Sequence, residues 1–256
     1  MHSTSLKDIR MFLDSIPLRT YPPIVIVHSG LFPFGILEGG ITGLYSVLRE
    51  WVGPSGTLLM PTFNFKKREC WHRQATPSET GVLTEYFRNQ EKVIRTIHPI
   101  HSVAISGPLA EYFCSDIERS SFGRRSIFSK LFELKANNIS LGTEFEGGAT
   151  YLHYFEELAQ VPYREYIDLK TKVYDYNGIE VLDDFKYFAR KYNNGQEWEN
   201  NWSIVFDDLK SNNLLSVAKI GPAKVMHSNI HDVGIFFLNK LLKNPLYCTN
   251  IKIMPK

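Results

Sequence analysis

Residues 24–30 read Ile-Val-Ile-Val-His-Ser-Gly and residues 57–61 read Thr-Leu-Leu-Met-Pro, and these two stretches with the segment between them decide the fold. The first opens with four consecutive apolar β-branched residues, the pattern of a strand buried on both faces of a parallel sheet. Residues 39–52 carry Ile41, Leu44, Val47, Leu48 and Trp51 at helical spacing and stop at Gly53-Pro54-Ser55-Gly56. Thr57-Leu58-Leu59-Met60 is then a second buried strand, ended by Pro61. Strand, helix, strand is a βαβ unit, and it sets the class as α/β.

Working outward, Leu6, Ile9, Met11, Phe12, Leu13 and Ile16 predict an N-terminal helix over 3–20, before Pro17 interrupts the pattern. Downstream, helices are expected at about 80–91, 108–115, 126–135 and 149–160, and strands at 102–106 and 138–142. Thr171 to Tyr176 and Ile179 to Leu182 flank Asn177-Gly178, which predicts a small antiparallel pair near 168–185. The tail from Asp183 reads as mainly helical, with one strand near 214–219. No repeat or linker interrupts the chain, so the expectation is a single domain over 1–256, built on a mostly buried mixed sheet flanked by helices.

The 256 residues hold 29 Lys plus Arg against 27 Asp plus Glu, a net charge of +2, which gives no support to a nucleic-acid binder. The three cysteines, Cys70, Cys114 and Cys248, form no C-x-x-C, which excludes zinc ribbons and thioredoxin-like redox motifs. They read as buried thiols of a reducing compartment, and with no apolar leader or spanning run the expected location is cytoplasmic.

The motifs of serine hydrolases, zincins and dinucleotide-binding folds, G-x-S-x-G, H-E-x-x-H and G-x-G-x-x-G, do not occur. Gly30 and Gly35 have P-loop spacing, but Ile36-Leu37 stand where Lys and Ser/Thr would be, which argues against an ATPase. The 28–40 loop is either a phosphate-facing turn ahead of a helix or an ordinary glycine-rich one. His98-Pro99-Ile100-His101-Ser102 is a second cluster, whose histidines fit a structural role as well as a site. In Gly147-Gly148-Ala149-Thr150-Tyr151-Leu152-His153-Tyr154-Phe155-Glu156, His153 and Glu156 are i, i+3 and share a helix face. A carboxylate beside an imidazole fixes its tautomer and raises its basicity, although such a pair also occurs on plain surfaces.

Taken together, the chain resembles the aminoglycoside 3-N-acetyltransferase family, acetyl-CoA-dependent enzymes of a non-GNAT fold, from about residue 24 to 243. The matching stretches include Val27-His28-Ser29-Gly30-Leu31, Gly39-Gly40, Gly56 to Phe63, Arg95 to Pro99 with Ser102-Val103-Ala104, Thr150-x-x-His153-x-x-Glu156 and Val161-Pro162-Tyr163-Arg164. The resemblance implies a coenzyme-binding half at about 21–160 and a C-terminal part at about 161–256. It implies that His28, Ser29, Gly30, Leu31, Gly39, Gly40, His98 and Ser102 lie on the coenzyme A side. It makes His153 the base in a direct transfer, with Glu156 as its carboxylate and Thr150 beside them. Three departures stand out: Gly30 replaces a usual second serine, Ala149 a usual Asn, and Ile127 a usual Pro.

The acceptor is less clear. The stretch after Pro61-Thr62-Phe63 reads Asn-Phe-Lys-Lys-Arg-Glu-Cys-Trp-His-Arg over 64–73, four bases against one acid, and Arg119, Arg124, Arg125 and Lys130 follow without an acid among them. Like charges repel a polycation. An anionic, nucleotide-linked amino sugar of surface-glycan biosynthesis is therefore set beside an aminoglycoside, with Phe63, Trp71 and Glu157 as candidate substrate contacts. A non-catalytic coenzyme A or nucleotide binder and an acyl-CoA hydrolase are the alternatives. No metal and no nucleic-acid partner are expected, and a homodimer is left open.

Overall fold

A computed structural model describes residues 2–182, 184–193 and 196–253. Its largest sheet has seven strands, in the spatial order Ser216–Ile220, Ala223–Asn229, Asn137–Leu141, Ile24–Ser29, Thr57–Pro61, Val103–Ser106 and Ile94–Arg95. The centre is parallel: Ile24–Ser29 pairs in that sense with both Thr57–Pro61 and Asn137–Leu141. Both wings are antiparallel, so the sheet is mixed as expected.

The run of apolar residues at 24–27 has a simple cause. Val25 and Val27 pack with Leu58, Met60, Ile9, Leu13, Leu44 and Leu48 on one face, under the helices Leu6–Asp14 and Gly40–Val52. Ile24 and Ile26 pack with Leu59, Phe128, Leu131, Leu152, Phe155 and Phe237 on the other, under Ile127–Glu133, Leu152–Leu158 and Ile230–Lys243. A strand covered on both faces has no position for a polar alternation.

Several elements differ from expectation. The first helix spans only Leu6–Asp14: Ser5 caps it by accepting the Lys7 N–H, and Ser3–Thr4 instead pairs with Ile36–Leu37. A short helix that was not expected, Phe145–Gly148, precedes the 149–160 helix, which itself spans only Leu152–Leu158. The first presses so hard on the sheet that a Cβ on Gly148 would lie 1.9 Å from Ser140 Oγ, and the chain bends between the two. The antiparallel pair is present but short, Lys172–Tyr174 with Glu180–Val181. Asp183, where the helical tail was expected to start, lies outside the described residues. The tail is rich in strand, with Lys186–Arg190 pairing Arg164–Asp168 and Gln196–Asn200 pairing Thr249–Ile253. These strands are short and pair with distant segments, so local periodicity does not announce them. Of the cysteines only Cys248 is buried; Cys70 is exposed because it alternates with buried Trp71 on a three-residue strand. No helix among the described residues is long and apolar enough to cross a membrane.

Candidate active site

The bend after Gly148 delivers Thr150 and His153 to the wall of a cleft of about 620 Å³. His28 and Ser29, at the end of the central strand, line the same cleft with Thr80, Gly81, Thr84 and Thr143. On the other side of His153 lies a second cavity of about 420 Å³, lined by His101, Phe122, Arg164, Tyr187 and Arg190 among others. His153, Phe65 and Asn200 belong to both, so the imidazole stands at the junction.

Behind that ring is a buried charge network. His153 Nδ1 makes a short contact with Glu156 Oε2, and Glu156 is fully buried. Arg164 Nε is 3.0 Å from the same carboxylate oxygen, and Tyr163 Oη donates to the other at 2.6 Å. Cys248 Sγ adds a weaker contact to that oxygen at 3.6 Å. Arg164 is in turn held by the Phe188 carbonyl at 3.1 Å and Asn200 Oδ1 at 3.3 Å.

This arrangement sets protonation states. Burial pushes the Glu156 carboxyl up, but His153, Arg164 and the Tyr163 hydroxyl outweigh it and hold it well below the usual range. Arg164 Nη2 also lies 3.1 Å from His153 Nδ1. If Nδ1 were an acceptor, its lone pair would face a carboxylate oxygen. Nδ1 cannot both accept from Arg164 and donate to Glu156; the Glu156 contact is the shorter, so we place the proton on Nδ1, which leaves the ring lone pair on Nε2. Burial and the nearby Arg164 charge lower the imidazole below its usual value, while Glu156 opposes them. The ring is therefore neutral at neutral pH.

The other expected residues are distributed unevenly. His28 lines the cleft, is buried, and has an Nε2 with no hydrogen-bond partner; burial lowers its pKa to about 4. Gly30 does not line it, and its N–H donates to the Leu141 carbonyl at 2.8 Å rather than facing a ligand. A serine there would bring its Cβ to 3.0 Å from Gly142 O, a tight contact that fits the departure to glycine. Leu31 starts a short 3-10 turn, and Gly39 and Gly40 are exposed at a helix start away from the cleft lining. Ser102 is fully buried, donates to Thr62 O and accepts from Arg95. His98 is also buried: its Nδ1 accepts the N–H groups of Ile100 and His101, and Nε2 faces Lys186 O and Ser121 Oγ.

Of the candidate substrate contacts, Phe63 lines the first cleft. Trp71 is fully buried, donates Nε1–H to Asn64 and lies under the Arg95 guanidinium, bordering a third groove. Glu157 turns to the opposite side of its helix, into a separate cavity with Glu118 and Arg124. Residues that had no assigned role join the site: Tyr163, Arg164, Asn200, Trp202, Thr80 and His101. Tyr163 and Arg164 stood within a matched stretch, but nothing in their spacing announced a contact with Glu156.

Residues 26–240 match the family model described as "Aminoglycoside 3-N-acetyltransferase". Aminoglycoside N(3)-acetyltransferase IV from Salmonella sp is 32% identical over 230 residues, covering 87% of this chain and 82% of that protein. Among solved structures, the apoenzyme of aminoglycoside acetyltransferase AAC(3)-IVa superposes with a TM-score of 0.78 at 24% identity, over 97% of this chain and 92% of its own. AAC-IIIb, solved as a binary complex with CoASH, gives 0.79 at 20% identity, over 93% of this chain and 96% of its own.

Proposed function

Because this chain belongs to the aminoglycoside 3-N-acetyltransferase family and is an acetyltransferase, we propose that it moves an acetyl group from coenzyme A to an amine of an aminoglycoside or related amino sugar, with His153 as the general base. One observation carries the reading: His153 stands where two cavities meet, with Nδ1 tied to an ionised buried carboxylate and Nε2 left for a substrate. A two-substrate reaction needs such a junction, because both reactants must reach one base from different sides.

The lining of the first cleft fits the pantetheine arm of the coenzyme. His28 Nε2 is buried without a partner, and Ser29, Thr80, Thr84 and Thr150 place hydroxyl-bearing side chains in the wall. These groups would meet the amides and hydroxyl of that arm. Among the described residues no lysine or arginine lines this cleft, so the coenzyme phosphates would lie toward its mouth. Bound there, coenzyme A would supply the acetyl group as a thioester whose thiolate departs as the new C–N bond forms. His153 Nε2 takes the proton that the amine nitrogen loses. Glu156 stabilises the resulting imidazolium through Nδ1–H, and Arg164 keeps the ring neutral beforehand. A base placed this way contributes on the order of 10²–10⁴ in rate.

The test mixes the protein with acetyl-CoA, a thiol reagent and a panel of aminoglycosides and amino sugars. Thiol release that depends on an amine is the expected result. Release without amine would assign a hydrolase, and coenzyme binding without release would assign a binding protein.

A further inference from the structure

The second cavity does not end at Arg190. Through Phe65, Ile100, Ile167 and Tyr187 it runs into a third groove of about 790 Å³, bordered by Lys66, Lys67, Arg68 and Lys170 against Glu69 and Asp168. The charges along this path are uneven once internal pairs are removed. Arg164 is bound to Glu156, and Arg68 is bound to Glu79 at 2.6 Å. That leaves Lys66, Lys67, Lys170 and Arg190, whose Nη1 donates to the Trp198 carbonyl but to no acid, against two exposed acids, 4 − 2 = +2, and among the described residues no acid lines the cavity next to His153. The other basic run, 119–130, does not contribute, because none of Arg119, Arg124, Arg125 and Lys130 lines this path.

Among the described residues the first cleft gives a polycation one carboxylate without a salt bridge, Glu146. Its acids are Glu79 and Glu146, and Glu79 is held by Arg68 and by the N–H groups of Phe65 and Lys66. A molecule with several ammonium groups, lying along the groove with one amine at His153, would meet four cations that no acid among the described residues neutralises. A phosphorylated amine meets the reverse. Its amine reaches the neutral imidazole, its ring packs on Phe65, Ile167 and Tyr187, and its phosphate lies among the lysines, which bind phosphate as point charges.

Building on the acetyl transfer proposed above, we propose that the groove from His153 past Arg190 to Lys66, Lys67 and Lys170 holds the acceptor, and that the acceptor is an amino sugar bearing a phosphate. The coenzyme also carries phosphates, so the same lysines could serve either reactant, and the experiment must separate the two sources.

The three lysines are exposed, so the triple variant Lys66→Glu, Lys67→Glu, Lys170→Glu leaves the core untouched. The readouts are kcat/KM for glucosamine 6-phosphate and for glucosamine, with a separate KM for acetyl-CoA, in the wild type, the triple variant and a Lys219→Glu control on the outer strand. The wild type should favour the phosphorylated amine by about tenfold or more, and salt should erode the preference. The triple variant should bring the ratio to about one, with the acetyl-CoA KM unchanged. An acetyl-CoA KM that rises while the amine ratio holds would give the groove to the coenzyme and overturn the proposal. So would a wild type that acetylates gentamicin-like amines faster than glucosamine 6-phosphate. If no amine of any kind releases thiol, it is the transferase reading itself that fails.

Discussion

Glu156 and Glu157 are consecutive, both buried, and both on the Leu152–Leu158 helix, yet their environments push them in opposite directions. Glu156 faces a guanidinium, an imidazole and a tyrosine hydroxyl, and is held ionised. Glu157 faces the Ser120 hydroxyl at 2.9 Å and Tyr166 Oη at 3.3 Å, with Glu118 nearby; burial raises it to about 7. Burial is common to both, so burial does not mark the site. What separates them is a fixed cation and an imidazole that opens onto two cavities. Two carboxylates of one helix turn are thus driven apart in acidity by what surrounds them.

Removing the base should break this contrast most severely. His153→Ala is expected to lower kcat by roughly 10²–10⁴ while leaving coenzyme affinity near its wild-type value, measured by steady-state kinetics and by titration calorimetry. Retained turnover would sink the assignment. Glu156→Gln should cost nearly as much activity and, unlike His153→Ala, a large part of the stability. It leaves Arg164 buried beside a neutral amide, a loss of about 3–5 kcal/mol for a broken buried pair, readable by denaturant unfolding.

Arg164→Gln sharpens the comparison through pH. Arg164 lowers the imidazole pKa, so the acid limb of kcat/KM in the wild type should fall below the usual histidine value. Without the guanidinium the His153 pKa rises, and that limb moves toward higher pH. A limb that stays in place would mean that another group titrates.

The central βαβ unit was readable because burial on both faces leaves only apolar residues at 24–27 and 57–60. The His153–Glu156 pair was readable because i, i+3 is a local relation. Arg164 and Tyr163 were not, since their contact with Glu156 depends on the strand that follows the helix and on its pairing with Lys186–Arg190. His98 and Ser102 belong to matched stretches, but no sequence shows that a protein's own groups will occupy both ring nitrogens of one and surround the hydroxyl of the other. The partner of the Gly30 N–H was hidden for the same reason: Leu141 O arrives with a strand far along the chain. The basic run at 66–73 was visible, whereas its pairing of Arg68 with Glu79 required the fold.

The smallest effect tests the other half of the comparison. Glu157 titrates near 4.5 when unfolded and near 7 when folded. Below pH 4.5 both states hold the proton, and the folded state has no disadvantage. As the pH rises from there toward 7 the unfolded chain ionises first, so stability falls across that window and levels off above it. The loss is about 2 kcal/mol, less than the full shift implies because the cavity opens to solvent. Glu157→Gln removes the titration but keeps an oxygen for Ser120. The variant should melt a few degrees above the wild type at pH 8 and at about the same temperature at pH 4.5, with kcat unchanged because the side chain faces away from His153. A difference in melting temperature that is equal at both pH values would show that Glu157 titrates alike in the folded and unfolded chain, and the contrast with Glu156 would then rest on geometry alone.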